Sequence, residues 1–211
     1  QAILYDLDGT LSDSLPRIFE ANRKTCHALG RPDLAEQACG LVGLPLVTAG
    51  EILLGKGCGD TFLRAYRQVS ACLPQPETEP FIGVPEMLWE LHEKGKKQAV
   101  VTAKKWLGLH KSLACLHIEH AIDFFLCADD CPKYKPDPAP ALLALQKLGG
   151  IDPQKAVFVG DTPFDIQCGQ NAGCQTIAVS WGMPLNAILK NSKPDYIAYS
   201  VAELRTLLLT I

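Results

Sequence analysis

The stretch Ala2–Thr10, AILYDLDGT, decides how the chain is read. Its apolar run, Ile3-Leu4-Tyr5, contains β-branched and aromatic residues and runs straight into Asp6-Leu7-Asp8-Gly9-Thr10. The pattern predicts a buried strand that breaks into a turn. Side chains alternate along an extended chain, so Asp6 and Asp8 point one way while Leu7 points into the core. Two carboxylates crowded at one strand end repel unless a cation lies between them or one holds a proton. That arrangement asks for a metal ion. Asp-Gly is also a common turn dipeptide, so the pentapeptide alone reads equally well as a solvated turn or a helix cap. The rest of the chain decides between them.

The 211 residues suffice for one large domain or for one domain carrying a smaller insert. A hydrophobic fraction of 47% and a charged fraction of 20% suit a soluble globular protein. The net charge of −3, with no clustered basic face, argues against nucleic acid as a partner. No apolar run reaches the roughly 18 residues that span a bilayer, and no signal-peptide pattern opens the sequence. The expectation is a cytoplasmic monomer or homodimer with no membrane partner. Nine cysteines are scattered without C-x-x-C spacing, which predicts small buried hydrophobes in a reducing compartment, with neither a disulfide framework nor a zinc site.

After Thr10, the segment LSDSLPRIFEANRKTCHALG predicts a helix with Asp13 or Ser14 as its cap, Pro16 in its first turn and Gly30 at its end. The helical patterns LVTAGEILL and DTFLRAYRQVSACL follow, with no strand between them. Composition then shifts at Pro74–Pro80, PQPETEP, which reads as a linker. From Phe81 onward helices alternate with short apolar strands: VPEMLWELHEKG, QAVVT, WLGLHKSLACLH, FFLCA, PAPALLALQKLG, AVFVG, FDIQCGQNAG, TIAVS and a last helix near AELRTLLL. Such alternation predicts an α/β fold, a mostly parallel sheet with helices on both faces. Residues 14–80 are then a helical cap inserted after the first strand, and residues 1–13 and 81–211 form the α/β core.

Open α/β sheets bind ligands outside the carboxyl ends of their strands. Four such ends carry polar groups here: Asp6 and Asp8, Thr102 after QAVVT, Lys135 in ADDCPKYKPDP, and Asp161 with Asp165 in GDTPFD. A phosphoryl group has several anionic oxygens, so an attacking carboxylate needs charge neutralisation to approach it. Lys135 and a metal ion would supply this. Mg²⁺ takes oxygen ligands and is commonly held by one or two carboxylates plus a substrate phosphate. Asp6 and Asp161, with Asp165 beside or behind them, match that description, and Thr102 could hold a phosphate oxygen. Pro136 and Pro138 stiffen the loop around Lys135; Lys104 and Lys133 are less well placed for its task. Singly, each group has a plainer reading: Thr102 as an ordinary strand-end threonine, Lys135 as a surface lysine, Asp161 and Asp165 as caps of a helix beginning at Pro163. Their joint occurrence at strand ends is what those readings leave unexplained.

Taken together, DLDGT, the threonine of VVTAK, the lysine of YKPDP and GDTPFD resemble the four motifs of the haloacid dehalogenase-like hydrolase superfamily. The resemblance continues through DGTLSDS, the loop GLPL at Gly43–Leu46, FIGVPEMLWELHEKG and Asn171–Gly173. It is closest to the phosphoglycolate phosphatase-like branch, with a Rossmann-like core and an inserted helical cap. The resemblance implies a Mg²⁺-dependent phosphatase acting on a small phosphorylated metabolite, phosphoglycolate-like or a sugar phosphate. Asp6 would form an aspartyl phosphate, and Asp8 would serve as general acid and then base. The Asp8 backbone carbonyl and the carboxylates of Asp6 and Asp161 would hold the metal, supported by Asp165. Thr102 and Lys135 would bind the phosphoryl oxygens, and Gly9 and Thr10 would let the backbone approach them.

Asp8 argues against a true dehalogenase, which needs no acid two residues after the nucleophile. GDT in place of a Glu-Asp pair disfavours a phosphosugar mutase, which would isomerise a sugar phosphate faster than it releases phosphate. A non-catalytic phosphometabolite-binding protein is the alternative of another class. In the cap, Arg17, Arg23, Arg64 and Arg67 read as a solvated helix face. Cys39, Gly40 and Leu41 stand where relatives often place basic residues, a departure from phosphoglycolate specificity. The histidines lack metal-ligand spacing, and Trp89, Trp106 and Trp181 read as packing groups.

Overall fold

In the computed structural model, which describes residues 1–74, 78–183, 185 and 192–211, Ala2–Tyr5 forms strand β1, buried along its whole length. Residues 75–77 of the expected linker lie outside the described residues. Four helices follow β1: α1 (Leu15–Ala28), α2 (Ala35–Gly40), α3 (Leu46–Leu54) and α4 (Gly59–Ala71). They share a small apolar core of their own, centred on Cys26, Ala38, Leu53 and Phe62. Helices α3 and α4 cross closely because both are glycine at the contact. A Cβ at Gly50 would lie 2.6 Å from the Phe62 Cβ and 2.9 Å from the Gly59 Cα.

The rest of the chain alternates as its pattern predicts: α5 (Val84–Glu93), β2 (Lys97–Val101), α6 (Trp106–Leu116), β3 (Phe124–Leu126), α7 (Ala139–Lys147), β4 (Ala156–Gly160), α8 (Pro163–Ala172), β5 (Gln175–Val179), β6 (Tyr196–Ala198) and α9 (Val201–Thr210). The strands form one sheet in the order β3-β2-β1-β4-β5-β6, and every pairing is parallel. Strand β6 is absent from the sequence reading. Three residues are too few for alternation to register, and YIA becomes a strand only because β5 offers it an open edge, pairing Ile177 with Tyr196.

The period-2 rule sorts β1 cleanly. Ile3, Tyr5 and Leu7 pack with Met87, Leu88 and Leu91 of α5, Leu109 and Leu113 of α6 and Leu204 and Leu208 of α9. Ala2 and Leu4 face the opposite layer, with Ala141, Ala144 and Leu145 of α7 and Cys168 and Ala172 of α8. Each large apolar side chain so buried contributes about 1.5–3 kcal/mol, which holds β1 at the centre of the sheet. All nine cysteines are free thiols, six of them buried. Among the described residues no helix is long and apolar enough to cross a membrane.

Two adjacent chain passages join the helical block to the sheet. Asp13 N donates to Glu79 O at 2.8 Å, Phe81 N donates to Leu11 O at 3.1 Å, and the Ser12 and Thr78 hydroxyls are hydrogen-bonded to each other. The outgoing and returning strands are thereby tied together at a single neck.

Candidate active site

Strand β1 ends where its ladder does. Asp6 N still donates to Val159 O at 2.9 Å, and beyond it the chain turns through Gly9 at φ +82°. The Asp6 carboxylate, only 3% exposed, accepts a hydrogen bond from Lys135 Nζ at 2.5 Å. Lys135 is equally buried. Its ammonium also reaches Asp165 Oδ1 at 2.6 Å and the Val101 carbonyl at 3.2 Å, so the lysine bridges β1, β2 and the start of α8.

Helix α8 opens with a reciprocal cap. The Thr162 hydroxyl and amide donate to Asp165 Oδ2 at 2.6 and 3.0 Å, while Asp165 N donates back to Thr162 Oγ1 at 3.4 Å. Thr162 is thus the capping residue, and Asp161 is left to the site. Its Oδ1 accepts from the Thr10 hydroxyl at 3.1 Å and its Oδ2 from Met183 N at 2.9 Å. Carboxylate oxygens of Asp6, Asp161 and Asp165 lie within 4.8 Å of one another, all three residues buried.

Burial pushes the Asp6 carboxyl up to about 7; Lys135 opposes the rise, and Asp165 and Asp8 add to it. Burial also holds Asp161 well above the usual carboxylate range, with Asp6 and Asp165 reinforcing it. Desolvation alone would lower the Lys135 ammonium, but Asp165 and Asp6 outweigh it and hold the group above its ordinary value. Three desolvated carboxylates facing one ammonium remain short of positive charge. An all-oxygen donor set with that deficit fits a hard divalent cation.

Asp8 lies apart from this cluster and has a lysine of its own. Lys104 Nζ contacts both Asp8 oxygens, 2.6 Å from Oδ2, and the Ser14 hydroxyl donates to Oδ1 at 2.5 Å. Ser14 occupies the N-cap position of α1, but its side chain makes no cap bond; the expected cap is given up to the stronger bond with a charged acceptor. Thr102 is buried at the end of β2, where its Oγ1 accepts from Lys104 N at 3.2 Å. The Gly9 and Thr10 amides donate within the turn, to Ser12 O at 2.9 Å and Leu7 O at 3.3 Å, and the Thr10 hydroxyl is taken by Asp161. In this structure those two residues shape the turn and hold Asp161.

Asp6, Asp8, Thr102 and Lys104 form the floor of a chamber of about 340 Å³ whose opposite wall comes from α1 to α4 and the Gly43–Leu46 loop. The sequence reading missed three features here. Lys104, read as a competitor of Lys135, serves Asp8; its place two residues beyond Thr102 was the available signal. Trp181 and Met183 follow β5 directly, and the rule of strand carboxyl ends applied to them as well. Trp181 Nε1 donates to Thr10 O at 3.1 Å, so that residue does more than pack.

Gly9 is under two constraints. Its φ is left-handed, and a Cβ there would lie 2.2 Å from Asp161 Oδ2. Gly9→Ala is expected to cost about 2–4 kcal/mol, combining backbone strain with displacement of a buried carboxylate. Urea denaturation of the two proteins checks it; equal midpoints would show that the turn relaxes freely.

Residues 3–179 match the family model of the haloacid dehalogenase-like hydrolases. The chain is 32% identical to a phosphoglycolate phosphatase of Aquifex aeolicus over 197 residues, covering 93% of this chain and 91% of that one. It is 31% identical to the pyrophosphatase PpaX of Bacillus velezensis over 204 residues, 96% and 94% of the two chains. Among solved structures it resembles a haloacid dehalogenase-like hydrolase of Streptococcus pneumoniae, with a TM-score of 0.81 at 29% identity over 100% of this chain and 98% of that one. Sheet order, inserted helices, acidic strand ends and these matches agree, and the chain belongs to the haloacid dehalogenase-like hydrolases.

Proposed function

We propose that the protein is a Mg²⁺-dependent phosphatase that hydrolyses a small phosphomonoester through an aspartyl-phosphate intermediate. One observation carries the reading: Asp6 lies 2.5 Å from a fully buried lysine, beside Asp161 and Asp165, on the floor of a chamber it shares with Asp8. The carboxylates of Asp6 and Asp161 and the Asp8 backbone carbonyl would hold the ion, with Asp165 behind them. When bound, Mg²⁺ supplies Lewis-acid neutralisation of phosphoryl oxygens.

In the first step an Asp6 oxygen bonds to phosphorus, the ester P–O bond breaks, and Asp8 gives a proton to the departing alkoxide. In the second, Asp8 takes a proton from water, whose oxygen attacks phosphorus and releases inorganic phosphate and the free Asp6 carboxylate. Lys135, held in place by Asp165 and the Val101 carbonyl, and the Thr102 hydroxyl bind the phosphoryl oxygens. Residues 14–80 form the cap that contacts the leaving group, and residues 1–13 and 81–211 form the core that handles the phosphate.

Phosphate release from a panel of small phosphomonoesters tests the reading. Release in Mg²⁺ should fall to background in excess EDTA and return when Mg²⁺ is restored. A panel that yields no phosphate with Mg²⁺ present, or one in which sugar phosphates isomerise faster than they are hydrolysed, would remove it.

A further inference from the structure

We infer that the leaving group is a bulky, predominantly apolar alcohol, and not a second phosphate or a short carboxylic acid; this rests on the phosphatase reading above. The chamber is the first observation. At about 340 Å³ it reaches the range of sites that enclose organic ligands. A diphosphate or a two-carbon acid anchored at Asp6 would leave most of it wet.

The wall is the second observation. Opposite Asp8 it is built from Ile18, Leu41, Val42, Leu44, Val47 and Leu63. Such a surface gains nothing from a second anion and much from a hydrocarbon body. Three of the cations along the chamber are engaged by protein groups. Arg17 donates to the Ser70 carbonyl at 2.9 Å and also to Pro74 O, and Lys104 is on Asp8. Lys105 pairs with Asp129 at 3.5 Å. Arg67, Lys105 and Lys111 are exposed at the chamber, where solvent weakens any charge contact with a second anion.

Asn22 adds no contact to this surface: its Nδ2 donates to Ala38 O at 3.3 Å, and its Oδ1 is buried beyond the open space of the chamber.

The test compares kcat/KM for ethyl, hexyl and cyclohexylmethyl phosphate, phosphoglycolate and pyrophosphate, with acetyl phosphate as an activated probe that needs no cap contact. The two six-carbon-or-larger esters should exceed ethyl phosphate, phosphoglycolate and pyrophosphate by at least about tenfold. Leu44→Asp should cut the hexyl-to-ethyl ratio at least about fivefold. Phosphoglycolate or pyrophosphate matching the bulky esters, or a hexyl-to-ethyl ratio unmoved by Leu44→Asp, would overturn the inference while acetyl phosphate turnover left the phosphatase reading standing. No release even from acetyl phosphate would remove both.

Discussion

Asp6→Asn is expected to lower phosphate release by about 10⁴-fold or more while the protein stays folded. The substitution keeps the shape of the side chain and removes the nucleophilic oxygen, and removal of a nucleophile typically costs that much. The same variant should change how stability depends on pH. Asp6 is a carboxyl whose folded pKa is raised, to about 7 from 3.8. Its contribution to stability is fully present below pH ~4 and is lost as the pH rises through 7, because the unfolded chain ionises freely and the folded one does not. At about 1.4 kcal/mol per unit of pH, the loss across that window is on the order of 4 kcal/mol. Urea melts of the metal-free wild type between pH 4 and 8 should show the decline, and those of Asp6→Asn should be flatter. Mg²⁺ should flatten the wild-type curve too, by favouring the ionised form. An Asn variant with near-normal turnover, or a wild-type curve as flat as that of the variant, would contradict the assignment.

Lys135→Met should have the largest effect on stability. The ammonium is 2% exposed and contacts two carboxylates, Asp6 at 2.5 Å and Asp165 at 2.6 Å. Met replaces its length and most of its volume but leaves both carboxylates desolvated and uncompensated. Breaking a buried ion pair by removing one partner costs about 3–5 kcal/mol, which for a chain of this size lowers the melting temperature by roughly 6–20 °C. Turnover should fall by at least about 10³-fold, since an oxyanion-stabilising charge is lost with the fold's counter-charge. Added Mg²⁺ should recover part of the melting temperature and little of the activity, because the ion replaces the charge but not the hydrogen bonds of the ammonium. A melting temperature unchanged in the metal-free protein would show that Asp6 and Asp165 need no counter-charge from the lysine.

Both predictions rest on groups identifiable from local pattern. Asp6, Thr102 and Asp161 each stand at the end of an apolar run, and strand ends in a parallel sheet converge by topology; Lys135, in the loop after β3, and Asp165, in the first turn of α8, follow such ends. The helix over Leu15–Ala28, the alternation from Phe81 onward and the free cysteines follow from the same short-range signals. Where the local rules failed, a longer-range competitor had won. Ser14 gave up its helix cap to the Asp8 carboxylate, and Thr162 took the N-cap of α8 with Asp165 as its reciprocal partner, which left Asp161 to the site. β6 formed only because a neighbouring edge was open.

The order of apolar and acidic residues by itself determined the class of fold, the helical insertion and the strand ends at which the carboxylates gather, because periodicity and strand polarity are properties of adjacent residues. Only the tertiary structure decided that Lys135 serves Asp6 while Lys104 serves Asp8, and that Met183 N and the Thr10 hydroxyl hold Asp161. Those choices depend on distances between groups up to 173 positions apart in the chain, the separation of Thr10 from Met183 around Asp161. Charges and hydrogen-bond donors select partners within about 3 Å, a scale that the sequence order of such distant residues does not encode.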